Sequence, residues 1–253
     1  TLMNSNNQIS EENKKWIQVA REKGVYILLI SGRPYVSMER VAKELGLDDC
    51  IVVALAGCDI RKYPSGTSVS SSCLTKEQVL DLQKLATDIS CYLQVFRLDG
   101  SYYFQKKTKY SDMYEAYFGY SGQQLDMQEI AFCDICKGMF IMEPEDLKKA
   151  EKQIGEGLPE GLNAETIWKN MIDTYRSCAD KGTGVKYVAN LLGISNKEII
   201  ACGDEKVDLP MFKEVGLSVA MGNAVEEVKK AVDIVTLTND EDGVAEIIKR
   251  YIV

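Results

Sequence analysis

Two aspartates four residues apart form the strongest chemical pattern in the sequence. Asp204 directly follows Gly203 and an apolar stretch, and Asp208 lies near the start of the next helical stretch. This spacing places both carboxylates on one side of a turn, where they would suit a small hard cation such as Mg²⁺. Helix capping is the competing interpretation, because the helix dipole favours an aspartate at a helix N-terminus without any metal.

Two other polar groups stand at expected helix starts. Ser31, Gly32 and Arg33 precede a helical stretch, and backbone N–H groups at such a start bind phosphate readily. A capped helix with Pro34 in its first turn would explain the same residues without a ligand. Lys181 opens a later helical stretch, where a lysine is ordinarily exposed to solvent.

Composition excludes several kinds of site. The 253 residues include no histidine, which rules out Ser-His-Asp and Cys-His catalysis and histidine-ligated zinc. The formal net charge of −8 argues against a general nucleic-acid binder. No apolar run reaches the roughly 20 residues that span a membrane. The eight cysteines follow no disulfide framework, so we expect reduced thiols and a cytoplasmic protein.

One pair of cysteines admits a different chemistry. Cys133 and Cys136 have the spacing of a redox pair or of half a zinc site. No second pair with this spacing and no histidine completes a metal-binding set. A redox or zinc protein is therefore kept only as an alternative to a site built on carboxylates.

The elements that would position the polar residues alternate at both ends of the chain. Helices are expected at residues 10–23 and 35–45, and buried strands at 25–30 and 51–55. Alternating helices and strongly apolar strands are typical of a doubly wound α/β domain with a parallel sheet, where ligands bind beyond the carboxyl ends of the strands. The alternation returns from residue 181 onward, so both segments are expected in one domain.

The middle of the chain follows a different pattern. The sequence predicts a hairpin at residues 60–71, helices at 74–86 and 145–154, and strands at 91–97, 101–105, 138–142 and 166–172. Strands and helices without strand–helix–strand order indicate an inserted α+β domain. We therefore expect a core in two parts, residues 1–73 and 178–253, and an α+β cap domain at residues 74–177.

The order of these features resembles the haloacid dehalogenase superfamily, and within it the Cof-like sugar-phosphatase group of class IIB. The resemblance extends over essentially the whole chain. The motifs that carry it are Leu29-Ile30-Ser31-Gly32-Arg33-Pro34, Asp180-Lys181-Gly182-Thr183-Gly184, Gly203-Asp204 with Asp208, Val219-Ala220-Met221-Gly222-Asn223-Ala224, and the tail at residues 238–245. The resemblance implies a Rossmann-like core with a parallel sheet, an inserted α+β cap, and a Mg²⁺-dependent phosphatase acting on small phosphorylated metabolites such as sugar phosphates.

The resemblance also implies roles for individual residues. Ser31 would hydrogen-bond the transferring phosphoryl oxygens, and Lys181 would neutralise their charge. Asp204 would bind Mg²⁺ directly, and Asp208 would bind it directly or through a water. The implied substrate-binding residues are Ser31, Gly32, Arg33, Lys181 and Asn223.

The chain departs from the family pattern at its first residue. The family's first motif, Asp-x-Asp-Gly-Thr, supplies the nucleophile and the acid–base aspartate, and Thr1 resembles its threonine. We therefore expect the 253 residues to be a fragment, inactive as it stands; a true start at Thr1 is the alternative. Three further positions differ: Val207 and Ala56 each replace a common Asn, and Asp173 replaces a common cap glutamate.

These departures leave a second function open. A non-catalytic protein on the same scaffold would bind a phosphorylated ligand or a protein partner. In the first interpretation the partner is a small phosphorylated metabolite, with no nucleic acid and no membrane involved. We expect a monomer or a weak dimer.

Overall fold

The computed structural model describes residues 1–119, 121–130 and 134–252. The chain forms two compact units. Unit 1 comprises Thr1–Arg33, Ser37–Val69 and Asp180–Val253, and unit 2 comprises Pro34–Val36 and Ser70–Ala179. The main borders between the two units fall at 69/70 and 179/180. The domain borders expected from the sequence, 73/74 and 177/178, stay predictions.

The first segment alternates helices and strands before it turns into a meander. Its elements are α1 (Glu11–Glu22), β1 (Leu28–Ile30), α2 (Tyr35–Glu44), β2 (Cys50–Ala54), β3 (Asp59–Tyr63) and β4 (Ser68–Ser71). β1 and β2 are parallel, β2 and β3 are antiparallel, and the sheet order is β1-β2-β3-β4. Every residue of β2 is buried, as its continuous apolar sequence predicts for a strand covered on both faces.

The middle segment builds unit 2 around one mainly antiparallel sheet of order β7-β6-β5-β8-β10-β9. Its elements are α3 (Lys76–Asp88), β5 (Tyr92–Arg97), β6 (Tyr102–Phe104), α4 (Lys109–Phe118), β7 (Gln123–Gln124), α5 (Met127–Ile130), β8 (Ile135–Ile141), α6 (Leu147–Gly157), β9 (Leu162–Trp168) and β10 (Met171–Arg176). The single strand expected at residues 166–172 is wrong. Lys169 and Asn170 form a turn there, and β9 pairs antiparallel with β10.

The last segment returns to strand–helix alternation. Its elements are α7 (Lys181–Leu192), β11 (Ile200–Gly203), α8 (Leu209–Phe212), β12 (Leu217–Ala220), α9 (Glu226–Lys229), β13 (Ile234–Val235) and α10 (Gly243–Tyr251). β11, β12 and β13 are parallel neighbours. The parallel strands with their helices, and the inserted α+β unit, confirm the expected fold class. None of the described helices is both long and apolar enough to cross a membrane.

The two sheets of unit 1 border one hydrophobic cluster. Among the described strands, β1 has only β2 as a neighbour and β11 has only β12. Both nevertheless contribute to the same cluster, whose members include Leu28, Ile30, Ala201, Val185 and Phe212. Packing in this cluster therefore fixes the positions of β1 and β11. The polar residues that follow each strand are positioned by it as well.

Candidate functional site

The turn after β11 is held in place by the Asp208 carboxylate. Its Oδ2 accepts hydrogen bonds from the backbone N–H groups of Asp204, at 2.9 Å, and Glu205, at 3.0 Å. A Cβ at Gly203 would lie 2.6 Å from the same oxygen, so a larger residue does not fit there without displacing the carboxylate. Asp208 is buried, and its side chain fixes the direction in which the Asp204 side chain leaves the turn.

Lys181 forms a buried ion pair with the other oxygen of Asp208. The Lys181 Nζ donates to Asp208 Oδ1 at 2.5 Å, and the two side chains are only 10% and 5% exposed. The expectation of a solvent-exposed lysine at this helix start is therefore wrong. Burial removes most of the water that would screen the two charges, so Lys181 and Asp208 attract each other strongly.

Local sequence explains why Lys181 stands where it does. The Asp180 carboxylate accepts from the Thr183 N–H at 2.7 Å, and the Thr183 hydroxyl accepts from the Asp180 N–H at 2.8 Å, so α7 begins with a reciprocal capping box. Gly57, at φ 110°, lies against Asp180 so closely that an added Cβ would be 2.3 Å from the Asp180 carbonyl oxygen. The start of α7 is thereby fixed against the loop that follows β2.

Gly182 offers a test of how tightly the start of α7 is packed. An added Cβ would lie 2.5 Å from the Pro210 carbonyl oxygen of α8, so Gly182→Ala should lower the free energy of unfolding by about 1–3 kcal/mol. Gly155→Ala in α6 is the matched control, because nothing lies within 4 Å of its added Cβ and alanine favours the helix by about 0.5–1 kcal/mol. Urea unfolding of both variants measures the difference, and equal stabilities would contradict the close packing.

Asp204 lies at the carboxyl end of β11 with its side chain 20% exposed. Its Oδ2 accepts from the Asn223 Nδ2 at 3.2 Å, and its Oδ1 accepts from the Thr1 hydroxyl. Burial alone would raise the pKa of Asp204. The Thr1 hydroxyl and the positive charge of Lys181 act in the opposite direction and lower it. Because the ordinary pKa of an aspartate is about 3.9, well below neutral, the carboxylate beside Lys181 is ionised at neutral pH.

Asn223 connects Asp204 to the segment before α10. The Asn223 Oδ1 accepts from the Asn239 backbone N–H at 2.9 Å, and the Asn239 Nδ2 donates to the Met3 carbonyl oxygen at 2.9 Å. Sequence reasoning did not select Thr1 or Asn239 as site residues. The sequence signal that could have selected Asn239 is its position in the tail at residues 238–245, which resembles the family.

Ser31, Gly32 and Arg33 lie at the end of β1. The Ser31 backbone continues the pairing with β2, donating to the Val53 carbonyl at 2.9 Å, and its Oγ accepts from the Arg33 N–H at 3.1 Å. Arg33 is exposed and its Nη1 lies 3.5 Å from the Met3 sulfur. In the described part of the chain, no side-chain hydrogen bond joins Ser31 directly to Lys181 or Asp204. The hydrogen bonds group those two with Asp208 and Asn223 and do not include Ser31 to Arg33.

The structure shows the local contacts of two residues that depart from the family pattern, Ala56 and Asp173. Ala56 is at φ 56°, in the left-handed region where Asn is better tolerated than Ala. Its N–H still donates to the Ser31 carbonyl at 2.9 Å, so the loop geometry survives the substitution. In unit 2, Asp173 pairs with Lys137 at 2.9 Å, and both side chains are buried.

The structure gives no support to a redox or zinc site built on Cys133 and Cys136. Cys136 is buried in β8 and its Sγ donates to the Phe96 carbonyl oxygen at 3.3 Å. Cys133 lies outside the described residues. Across the described ranges, no group of three or more histidine, cysteine or acidic side chains is arranged to hold a metal ion.

Asp204 and Asp208 meet the requirements of a Mg²⁺ site to different degrees. Mg²⁺ commonly keeps several waters and takes only one or two protein carboxylates together with phosphate oxygens. Asp204 fits as such a ligand, because it is ionised and partly exposed. Both oxygens of Asp208 already accept hydrogen bonds, from Lys181 and from two backbone N–H groups. Its contacts favour a positioning role, and ligation by Asp208 stays a prediction.

A family model described as haloacid dehalogenase-like hydrolase matches residues 1–248. Among curated proteins, the chain is 27% identical over 254 residues to 5-amino-6-(5-phospho-D-ribitylamino)uracil phosphatase YcsE of Bacillus subtilis (strain 168). That match covers 100% of this chain and 92% of the relative. Phosphatase YwpJ of the same organism is 26% identical over 277 residues, covering 100% and 96%.

Solved structures show the same relationship. A haloacid dehalogenase-like hydrolase from Bacteroides thetaiotaomicron superposes with a TM-score of 0.86 at 28% identity, covering 99% of this chain and 95% of that one. The structure of a subclass IIB sugar phosphatase superposes with a TM-score of 0.85 at 19% identity, covering 99% and 95%. At that identity the second likeness concerns the fold alone.

Proposed function

Because the chain belongs to the haloacid dehalogenase-like hydrolases, in their Cof-like branch, we propose that the protein is a Mg²⁺-dependent phosphohydrolase of small phosphorylated metabolites such as sugar phosphates. The observation that carries the proposal is the ionised, partly exposed Asp204 beside the buried Lys181–Asp208 pair. A negative ligand for a hard cation and a fixed positive charge are the two electrostatic elements that phosphoryl transfer requires.

Each residue of the pair has a distinct part in the proposed reaction. Lys181 keeps its ammonium in a site with little water, where its charge offsets the negative charge on a transferring phosphoryl group. Asp208 is a positioning residue, since one oxygen holds Lys181 and the other holds the turn that carries Asp204. Removing Asp208 would therefore disturb both partners at once.

Four further residues, Asn223, Ser31, Gly32 and Arg33, would complete the phosphate site. The Asn223 amide orients the Asp204 carboxylate through its Nδ2. The Ser31 Oγ accepts from the Arg33 N–H, which leaves its own O–H available as a donor to a phosphoryl oxygen. Gly32 and Arg33, at the start of α2, would add backbone N–H groups and a guanidinium for the phosphate.

Asp204 would hold the metal, with Asp208 supporting it through the turn. When bound, Mg²⁺ supplies positive charge that attracts phosphate oxygens and stabilises charge in the transition state. In the family pattern an aspartate of the Asp-x-Asp-Gly-Thr motif supplies the nucleophile, and Thr1 resembles the threonine of that motif. Reading the coding DNA before the Thr1 codon shows whether an in-frame Asp-x-Asp-Gly is present.

Phosphate release tests the proposed activity. The protein expressed from its complete coding sequence is incubated with a panel of sugar phosphates and nucleotides, with Mg²⁺ or with a chelator. We expect Mg²⁺-dependent release from at least one sugar phosphate, with turnover within the usual range of about 1–10³ s⁻¹. Release from no member of the panel would reject catalysis and favour the non-catalytic, ligand-binding or partner-binding function.

A further inference from the structure

The free edge of β13 in unit 1 carries two exposed apolar residues. Within the described sheets, β13 has β12 on one side and no strand on the other. Val235 is 49% exposed and Leu237, two residues further along, is 46% exposed. An edge strand with exposed apolar side chains is a template for pairing with another strand.

A groove runs between this edge and α10. Its volume is about 220 Å³, and it is lined by residues 234–237 together with Glu246, Ile247 and Arg250. Ile247 is buried at the floor. The groove has room for one apolar side chain, and Leu237, itself a lining residue, is exposed at the same edge.

The charges on the rim of the groove complement each other. Glu246 and Arg250 are four residues apart on α10, one helical turn, and both are exposed. Their neighbour Lys249 is bound to Glu12 at 2.6 Å, whereas no ion pair engages Glu246 or Arg250 in the residues described here. The rim thus presents one negative and one positive side chain, along the axis of α10, beside an apolar strip.

We propose that the β13 edge binds a second copy of this chain about a two-fold axis. Such an axis sets the two β13 strands antiparallel, and it sets α10 antiparallel to its copy. Glu246 of each copy then faces Arg250 of the other, and Leu237 of each enters the other's groove. The surface is self-complementary in charge, which is the feature that identifies a second copy as the occupant. The proposal does not depend on the phosphatase activity.

The expected dimer is weak, because a two-residue strand and one helix face bury less than the roughly 800 Å² per partner of a standard interface. Sedimentation equilibrium of the full chain should give a dissociation constant in the range of roughly 10–500 μM. Arg250→Glu turns both symmetric pairs into like-charge contacts and should weaken association by about tenfold or more. Leu237→Glu should weaken it at least as much.

Exchanging the two charges tests whether Glu246 and Arg250 face each other across the proposed interface. The double variant Glu246→Arg with Arg250→Glu restores both opposite-charge contacts and should return the dissociation constant to within about threefold of the wild-type value. Leu191→Glu, at a 49% exposed apolar residue of α7, is the control and should leave it unchanged. A wild-type protein that stays monomeric at about 1 mM, or a double variant no tighter than Arg250→Glu alone, would overturn the proposal.

Discussion

Replacing Asp204 by Asn is expected to lower Mg²⁺-dependent phosphate release by about 10²–10³-fold. The reason is charge: Asp204 is the ionised, partly exposed carboxylate at the end of β11, and an amide oxygen binds a hard cation much more weakly than a carboxylate. The variant keeps the shape of the side chain. The measurement is a titration of activity with Mg²⁺ in the protein expressed from its complete coding sequence.

Glu205→Gln is the matched control for Asp204→Asn. Glu205 lies in the same turn and undergoes the same chemical change, but its side chain is exposed to solvent. We expect activity within about threefold of the wild-type value, as for most exposed substitutions. Calorimetric titration with Mg²⁺ gives an independent readout. Equal losses of metal affinity in the two variants would refute the assignment of Asp204 as the ligand.

Asp208→Ala is expected to lower the free energy of unfolding by about 3–5 kcal/mol. The change leaves the Lys181 ammonium buried without its partner and deprives two backbone N–H groups of their acceptor. Total stabilities of domains are about 5–15 kcal/mol, so the loss is a large fraction of the whole. Urea unfolding followed by circular dichroism measures it as a shift of the midpoint.

Two variants show whether burial is the cause of that loss. Glu227→Ala removes an acid from the Lys206–Glu227 pair, whose side chains are 57% and 58% exposed, and should change stability by less than about 1 kcal/mol. The double change Lys181→Met with Asp208→Leu removes both buried charges and should be less destabilising than Asp208→Ala alone. An Asp208→Ala variant as stable as Glu227→Ala would show that the pair contributes little.

Much of the core could be predicted from the sequence, because its signals are local. The continuous apolar run of β2 and the capping residues of α7 act within a few positions, so strand, helix and boundary can be inferred from adjacent residues. Local signals were weaker in unit 2. The β9–β10 hairpin turns at Lys169 and Asn170. Asn170 is a common turn residue, but no Gly or Pro stands beside it, and the sequence therefore predicts one strand where there are two.

The sequence by itself determined which side chains were available at the site: two aspartates at a turn, a lysine at a helix start and a serine after a strand. Only the tertiary structure decided how they are used. Lys181 and Asp208 are 27 residues apart and Asp204 and Asn223 are 19 apart, so their contacts depend on how α7 and the strand ends pack. Burial then converts an ordinary lysine into a fixed charge, because a buried ammonium must keep its partner.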